Sequence, residues 1–314
     1  MTRNATPRVA VIGAGETGRG WAALTAAAGW SVALFDAATA VVEEARAAVA
    51  ERVARMERVG LAGNEPARAG LAAFRTSGSL LQAVTDADWV IEAGPAELGT
   101  RQRILEQVEQ VARMAAVLTS STPLHHASDL CARLRRPERL LVVDPHPPVE
   151  LMPVVEVVPG PLTDSAALAE VREWLRRLGR APVVLNREIA GNVGGRIAAA
   201  AWRECLHLVL EGVVTVEDLD LAIAGGPALA WATGGPFLGM HASAGHHELN
   251  LHLGSLIGTY AAWWRSLDSR EGLDAEEQHR VARAVDRAYA ARAPALRLAH
   301  QQRLADLLNA LPRA

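Results

Sequence analysis

Short apolar runs recur along the first part of the chain, and each is followed by a segment with helical spacing. The run Val9–Ile12 leads into a glycine-rich turn, a helical segment and a second apolar run, Val32–Phe35. Continuous apolar runs are typical of parallel strands covered on both faces. Further strands are predicted over residues 74–77, 88–92, 116–118, 140–143, 151–158 and 182–185. Alternating strands and helices predict a doubly wound α/β sheet.

Beyond about residue 187 the pattern changes to helical spacing alone. Helices are predicted over 189–211, from Thr215 onward, over 254–267 and over 275–310. We therefore predict two domains, an α/β domain at 1–187 and an all-α domain at 188–314. Trp202 and Trp231 occupy helical positions in the second domain, where a tryptophan is more often a core residue than part of an aromatic cage for a cation.

Composition narrows the class of protein. The chain has 314 residues, half of them apolar, and no apolar run as long as a membrane span. The first strand follows the N-terminus without a signal-peptide apolar region, so we expect a cytoplasmic protein with no membrane partner. A net charge of −3 without a basic run gives no footprint for nucleic acid. All 32 basic residues are arginine, which excludes lysine chemistry such as a Schiff base or a P-loop.

Candidate metal ligands do not have the spacing of a metal site. Cys131 and Cys205 stand alone, without the C-x-x-C spacing of zinc sites. Several histidines cluster in the second domain, at His241, His246, His247 and His252. Neither H-x-x-x-H nor H-E-x-x-H spacing is found among them, so we predict no metal.

The turn after the first strand carries a cofactor motif. Gly13, Gly15 and Gly18 have the spacing G-x-G-x-x-G between a strand and a helix, which permits a tight turn, close approach of a pyrophosphate and close helix packing. Asp36 ends the second strand, where a carboxylate accepts hydrogen bonds from the adenosine ribose and repels a 2′-phosphate. Glu92 ends a later strand at the same ligand-binding edge. The motif predicts a Rossmann-type domain that binds NAD rather than NADP.

Longer segments extend this evidence along the whole chain. They are VIGAGETGRGWA, IEAGPAELGTR, RPERLLVVDPHPPVELMPVVEVV and a helical segment that begins EIAGNVGGRIAAAAWREC. Together they resemble the 3-hydroxyacyl-CoA dehydrogenase superfamily, within it the branch of carnitine dehydrogenase and L-gulonate 3-dehydrogenase. The resemblance implies an NAD-dependent oxidoreductase for a small hydroxy acid or related metabolite, a cleft between the domains, and a homodimer through the helical domain. In the family, a lysine on the cofactor side usually occupies the position of Arg101. A glutamate usually occupies the position of Ala96.

The resemblance also locates the catalytic positions, and most of them are altered. The motif H-P-F-N-P-V-x-L-L-P-L-V-E aligns without gaps on residues 144–156, so the catalytic histidine position holds Asp144 and its partner glutamate is Glu156. The substrate-binding serine position holds Pro123, and the asparagine position holds Gly195. The mechanism of the family therefore does not transfer directly to this chain.

Residues of the missing types lie close by in the sequence. His146 follows Asp144 by two residues, so in an extended segment it lies on the same face, about 6 to 7 Å away. Asn192 precedes the altered asparagine position by three residues, which on a helix is the same face shifted by about 4.5 Å. Ser121 offers a hydroxyl beside the altered serine position. These residues predict a rebuilt site in which His146 or Asp144 takes the substrate proton and Glu156 orients that base.

Alternative interpretations remain open at this point. Asp144 and Glu156 can act as paired carboxylates in an eliminating or cyclising enzyme that keeps NAD as a structural or transiently redox cofactor. The chain can also be a binding protein that has lost catalysis, with the new residues placed by coincidence. If Asp144 and Glu156 do not act as a pair, Asp144 merely caps the turn before Pro145.

Overall fold

The structure is a computed structural model that describes residues 6–244 and 249–310. The chain divides between Gly195 and Arg196 into two compact units. The first unit thus extends beyond residue 187, because the segment before Gly195 is hydrogen-bonded to the strands of the sheet.

Eight strands form one sheet in the first unit. They are β1 (Val9–Ile12), β2 (Val32–Phe35), β3 (Arg75–Ser77), β4 (Trp89–Glu92), β5 (Val117–Ser120), β6 (Leu140–Pro145), β7 (Val154–Pro159) and β8 (Ala181–Val184). Their order is β3-β2-β1-β4-β5-β6-β7-β8, and neighbouring strands are parallel except β6 and β7. Chain order reverses between β1 and β4, which confirms the predicted doubly wound Rossmann-type fold.

Helices cover this sheet. They are α1 (Glu16–Ala27), α2 (Thr39–Arg58), α3 (Asn64–Ala73), α4 (Leu80–Val84), α5 (Leu98–Val111), α6 (Ala127–Leu130) and α7 (Ser165–Arg177). The central strands are buried on both faces, as the continuous apolar runs predicted; all of Val9–Ile12, for example, is buried. Parallel strands covered by helices have no solvated face, which explains the absence of polar alternation in these runs.

The strand pair β6–β7 differs from its predicted bounds. The sequence predicted that the first strand of the pair ends at residue 143, but the ladder continues, with Asp144 opposite Glu156 and Pro145 opposite Val155. An antiparallel neighbour supplies backbone partners beyond the last apolar residue, so the strand runs on into polar sequence. As a result Asp144 lies on the sheet, opposite Glu156, rather than in a loop.

The second unit is helical, as predicted. Its helices are α8 (Gly194–Leu210), α9 (Val216–Gly225), α10 (Pro227–Ala232), α11 (Gly235–Ala244), α12 (Leu249–Trp264), α13 (Ala275–Tyr289) and α14 (Ala293–Ala310). The first two residues of α8 belong to the first unit. The expectation that Trp202 and Trp231 are core residues is wrong, since they are 64% and 50% exposed. Helical periodicity shows that a helix has an apolar face but not what covers it. In the part of the chain that the structure describes, no helix has the length and hydropathy of a membrane span.

Candidate active site

The glycine turn between β1 and α1 is closely packed on one side and open on the other. A Cβ on Gly13 would lie 2.4 Å from the carbonyl oxygen of Ala93, and a Cβ on Gly18 would lie 1.8 Å from that of Gly13. A Cβ on Gly15 would meet no atom within 4 Å. The turn therefore requires glycine for its own packing at two positions and leaves free space at the third, where the amides of α1 can receive a phosphate.

Asp36 lies beside this turn at the end of β2. Its Oδ2 accepts a hydrogen bond from the Ala14 N–H at 2.8 Å, and its Oδ1 accepts one from the Ala38 N–H at 2.9 Å. These bonds fix the carboxylate, and each oxygen retains acceptor capacity for a ribose hydroxyl. The open glycine turn and the fixed acid together fit the adenosine and pyrophosphate parts of NAD.

Glu92 and Arg101, both predicted on the cofactor side, form a buried ion pair. Arg101 Nη1 lies 2.6 Å from Glu92 Oε2 and donates to Ser120 Oγ at 3.0 Å, while Nη2 donates to the carbonyl oxygen of Gly94 at 2.9 Å. Through its hydrogen bonds to Ser120 and to the backbone of Gly94, the ion pair fixes the turn after β4. A direct contact of either residue with the cofactor stays a prediction.

Asp144 and Glu156 face each other across β6 and β7. Asn192 Nδ2 donates a hydrogen bond to Asp144 Oδ2 at 2.9 Å. Burial raises the pKa of Asp144 above its ordinary value, the hydrogen bond from Asn192 opposes that shift, and the charge of Glu156 adds to it. Asp144 is therefore more easily protonated than an exposed aspartate.

Glu156 is held in place by backbone amides. Its Oε2 accepts the Val193 N–H and its Oε1 accepts the Gly194 N–H, both at 2.7 Å. The Nε2 of His146 lies 3.4 Å from the same Oε1. Glu156 is only 3% exposed, whereas the His146 side chain is one-third exposed. A buried, fixed carboxylate thus orients a partly accessible imidazole and leaves its Nδ1 for another partner.

Asn192 reaches this site by a different route from the one predicted. Helical spacing predicts a helix over 189–211, but α8 begins only at Gly194, and Asn192 adopts a left-handed conformation with a φ of 49°. It follows Gly191, which also has positive φ, at 77°. Non-glycine residues seldom adopt this conformation, which asparagine tolerates better than most. The left-handed turn, rather than a helix face, aims the Asn192 amide at Asp144.

Ser121 occupies a more internal position than the other candidates. It directly follows β5, is 8% exposed, and its Oγ accepts a hydrogen bond from the indole N–H of Trp21 at 2.8 Å. Within the described residues the structure brings together Asp144, His146, Glu156 and Asn192, and no hydrogen bond links Ser121 to them.

Sequence reasoning missed Glu150, which lies between β6 and β7. Its side chain is completely buried, accepts hydrogen bonds from Arg52 Nη1 at 2.9 and 3.0 Å, and pairs with Arg55. Arg52 also pairs with Glu16, the first residue of α1. The segment that follows His146 is therefore tied to the helix that begins at the glycine turn. An acid within the apolar stretch PVELMP was the available signal, but its partners lie 95 and 98 residues away.

Metal binding finds no support in the described ranges. Among those residues no group of three or more His, Cys, Asp or Glu side chains is placed to hold a metal ion. His246 and His247, two of the histidines singled out in the sequence, lie outside the described residues.

Comparisons with known proteins identify the family of this chain. The family model for "3-hydroxyacyl-CoA dehydrogenase, NAD binding domain" matches residues 8–189. An L-carnitine dehydrogenase of Nocardiopsis dassonvillei is 34% identical over 96% of this chain and 92% of its own length. An L-carnitine dehydrogenase of Streptomyces coelicolor is 32% identical, over 98% and 95%.

Solved structures share the fold. The structure of FHMPC 5-dehydrogenase, described as an NAD⁺-dependent dismutase, superposes with a TM-score of 0.82 at 24% identity, over 98% of this chain and 100% of that one. FadB2 of Mycobacterium tuberculosis superposes with a TM-score of 0.66 at 28% identity, over 71% and 78%.

Proposed function

Because this chain belongs to the 3-hydroxyacyl-CoA dehydrogenase family, we propose that it oxidises a small hydroxy acid with His146 as the proton acceptor. Membership makes it an NAD-dependent oxidoreductase, as predicted from its sequence. The observation that carries the proposal for the base is the 3.4 Å contact between His146 and Glu156, whose carboxylate is fixed by two backbone amides.

The arrangement supports a simple division of roles. When bound, NAD supplies the acceptor for the hydride that leaves the carbinol carbon. His146 takes the hydroxyl proton at Nδ1, because its Nε2 faces Glu156. The carboxylate of Glu156 stabilises the imidazolium that forms and keeps the ring oriented. Asp144 and Asn192 are hydrogen-bonded to each other beside His146 and Glu156, and they supply hydrogen-bonding groups to the substrate.

His146 is favoured over Asp144 as the base on two grounds. The Asp144 carboxylate is already engaged by the Asn192 amide, whereas the Nδ1 of His146 is left available by the contact at Nε2. Histidine is also the side chain that most often serves as a general base in enzymes.

The direct test is to screen hydroxy acids with NAD and follow NADH formation. L-Carnitine is the first candidate because the relatives described above are L-carnitine dehydrogenases. Turnover with one NADH per substrate supports the proposal. Substrate loss without net NADH would favour elimination or cyclisation by the Asp144 and Glu156 pair, and binding of NAD without turnover of any hydroxy acid would favour the inactive alternative.

The homodimer through the helical unit is also a proposal. It is supported by exposed apolar side chains in that unit, among them Trp202, Leu221, Phe237, Trp263 and Trp264. Contiguous exposed apolar surface commonly marks a protein interface. Light scattering at micromolar concentration is expected to give the mass of a dimer, and the mass of a monomer would contradict the proposal. The cytoplasmic location stays a prediction.

A further inference from the structure

We infer that Gly194 is a positioning residue: its missing side chain makes the space in which the His146 imidazole lies against Glu156. The inference rests on the proposed function, in which His146 takes the substrate proton. It concerns a residue that has no reactive group of its own and acts only through the ring beside it.

The geometry around Gly194 is specific. A Cβ on this residue would lie 2.3 Å from His146 Cε1, 3.0 Å from His146 Nε2 and 2.9 Å from Glu156 Oε1. Such a methyl group would therefore collide with the facing edges of both side chains. The Gly194 N–H also donates to Glu156 Oε1 at 2.7 Å. The same residue thus fixes the carboxylate with its backbone and admits the imidazole by having no Cβ.

The kind of atom that a Cβ would meet sets Gly194 apart from the glycines of the cofactor turn. At Gly13 and Gly18 the nearest atoms are backbone carbonyl oxygens, which cannot move without displacing the main chain. At Gly194 the nearest atom is at the end of the His146 side chain, which can rotate about its χ angles. Rotation of the ring away from Glu156 is the easiest relief. We therefore expect Gly194→Ala to fold and to lose the oriented base.

The chain offers a matched control one residue further on. A Cβ on Gly195 would meet no atom within 4 Å, and Gly195 lies in the same first turn of α8. Alanine is favoured over glycine within helices, so neither substitution should lower the thermal midpoint through helix propensity. A difference between the two variants therefore reports the clash at Gly194.

The test combines imidazole NMR with a double-mutant cycle. The ring signals of His146, assigned by their absence in His146→Ala, are titrated with pH in the parent, Gly194→Ala and Gly195→Ala. We expect a changed titration curve in Gly194→Ala and the parental curve in Gly195→Ala. The loss of kcat in Gly194→Ala should approach that of His146→Ala, about 10²- to 10⁴-fold. The double variant His146→Ala/Gly194→Ala should be no less active than His146→Ala, because the two residues act through one ring.

Contrary outcomes are equally clear. A parental His146 titration curve in Gly194→Ala would overturn the inference, as would the same fold-loss of kcat from Gly194→Ala with and without His146. If Gly194→Ala does not fold, the double variant His146→Ala/Gly194→Ala is the deciding measurement. Folding of the double variant supports a clash between the introduced methyl group and the His146 ring, and failure of the double variant to fold contradicts that clash. If His146→Ala keeps parental turnover, the proposed function fails, and the titration curves still decide whether Gly194 makes room for the ring.

Discussion

The cofactor turn and the β6–β7 strand pair follow the family pattern to different degrees. The turn keeps its glycines and its acid, and Gly13 and Gly18 pack against backbone atoms. The strand pair is predicted to carry Asp144 at the catalytic histidine position of the family. Its cluster forms from side chains on and just after β6, on β7 and in the segment before α8. A site formed by closely packed backbone tolerates few substitutions. A site formed by side chains can change its residues while the sheet that carries them stays the same.

Glu150 connects the two regions. Through Arg52 it ties the segment after β6 to Glu16 at the start of α1. The two regions therefore differ in how they are built but share an ion-pair network centred on the buried side chain of Glu150. Each of the following predictions separates one region from the other or probes the connection between them.

The largest expected effect is on chemistry at the strand pair. His146→Ala is expected to lower kcat by about 10²- to 10⁴-fold, the usual contribution of a general base, and to leave NAD affinity nearly unchanged. Asp144→Asn should be the milder change. Steady-state kinetics and calorimetry of NAD binding test both expectations. If Asp144→Asn proves the more damaging variant, Asp144 is the base.

The second effect is on stability through the connection. Glu150→Gln leaves Arg52 and Arg55 without their buried counter-charge, so the free energy of unfolding is expected to fall by about 3 to 5 kcal/mol. Glu16→Gln is the control, because the Glu16 side chain is 75% exposed and exposed pairs contribute about 1 kcal/mol or less. Urea unfolding measures both. Equal losses would show that the burial of Glu150 is unimportant.

The third prediction distinguishes the glycine that the cofactor turn needs for its own packing from the glycine that leaves room for NAD. Gly18→Ala places a Cβ against backbone and should lower the free energy of unfolding by about 1 to 3 kcal/mol or more. Gly15→Ala meets no protein atom, so it should leave stability unchanged and weaken NAD binding. Thermal unfolding and calorimetry distinguish the two. Unchanged NAD affinity in Gly15→Ala would mean that the phosphates do not approach this position.

A smaller effect concerns cofactor choice. The parent should bind NAD more tightly than NADP, because Asp36 repels a 2′-phosphate. Asp36→Ala is expected to reduce the ratio of the two affinities by about tenfold, since unit charges a few ångströms apart at a protein surface interact by about 1 to 4 kcal/mol. Equal affinities for NAD and NADP in the parent would refute the role assigned to Asp36.

The smallest expected effect is a higher thermal stability of the Asp144→Asn variant at neutral pH. Burial raises the pKa of Asp144, so the native state holds this proton more tightly than the unfolded state does. Stability is therefore lost as the pH rises from the ordinary aspartate range through the raised pKa. Asp144→Asn removes that loss, and its amide oxygen can still accept the hydrogen bond from Asn192. Its thermal midpoint should exceed that of the parent at neutral pH and converge with it in acid.

The sequence by itself determined the fold class, the family and the cofactor. Apolar runs such as Val9–Ile12 report burial on both faces, and the glycine spacing reports a turn whose requirements lie within a few residues. Asp36 could be assigned because it ends the next strand. These features are local, so spacing along the chain is enough to reveal them.

Only the tertiary structure decided how the candidate site is assembled. The left-handed turn at Asn192, the partners of Glu150 and the contact between Gly194 and the His146 ring depend on strand register and on segments distant in sequence. The exposure of Trp202 was likewise invisible to helical spacing. Periodicity along a chain records which face of an element is apolar. It carries no information about which distant side chain packs there, because loop closure and packing decide that only when the elements meet.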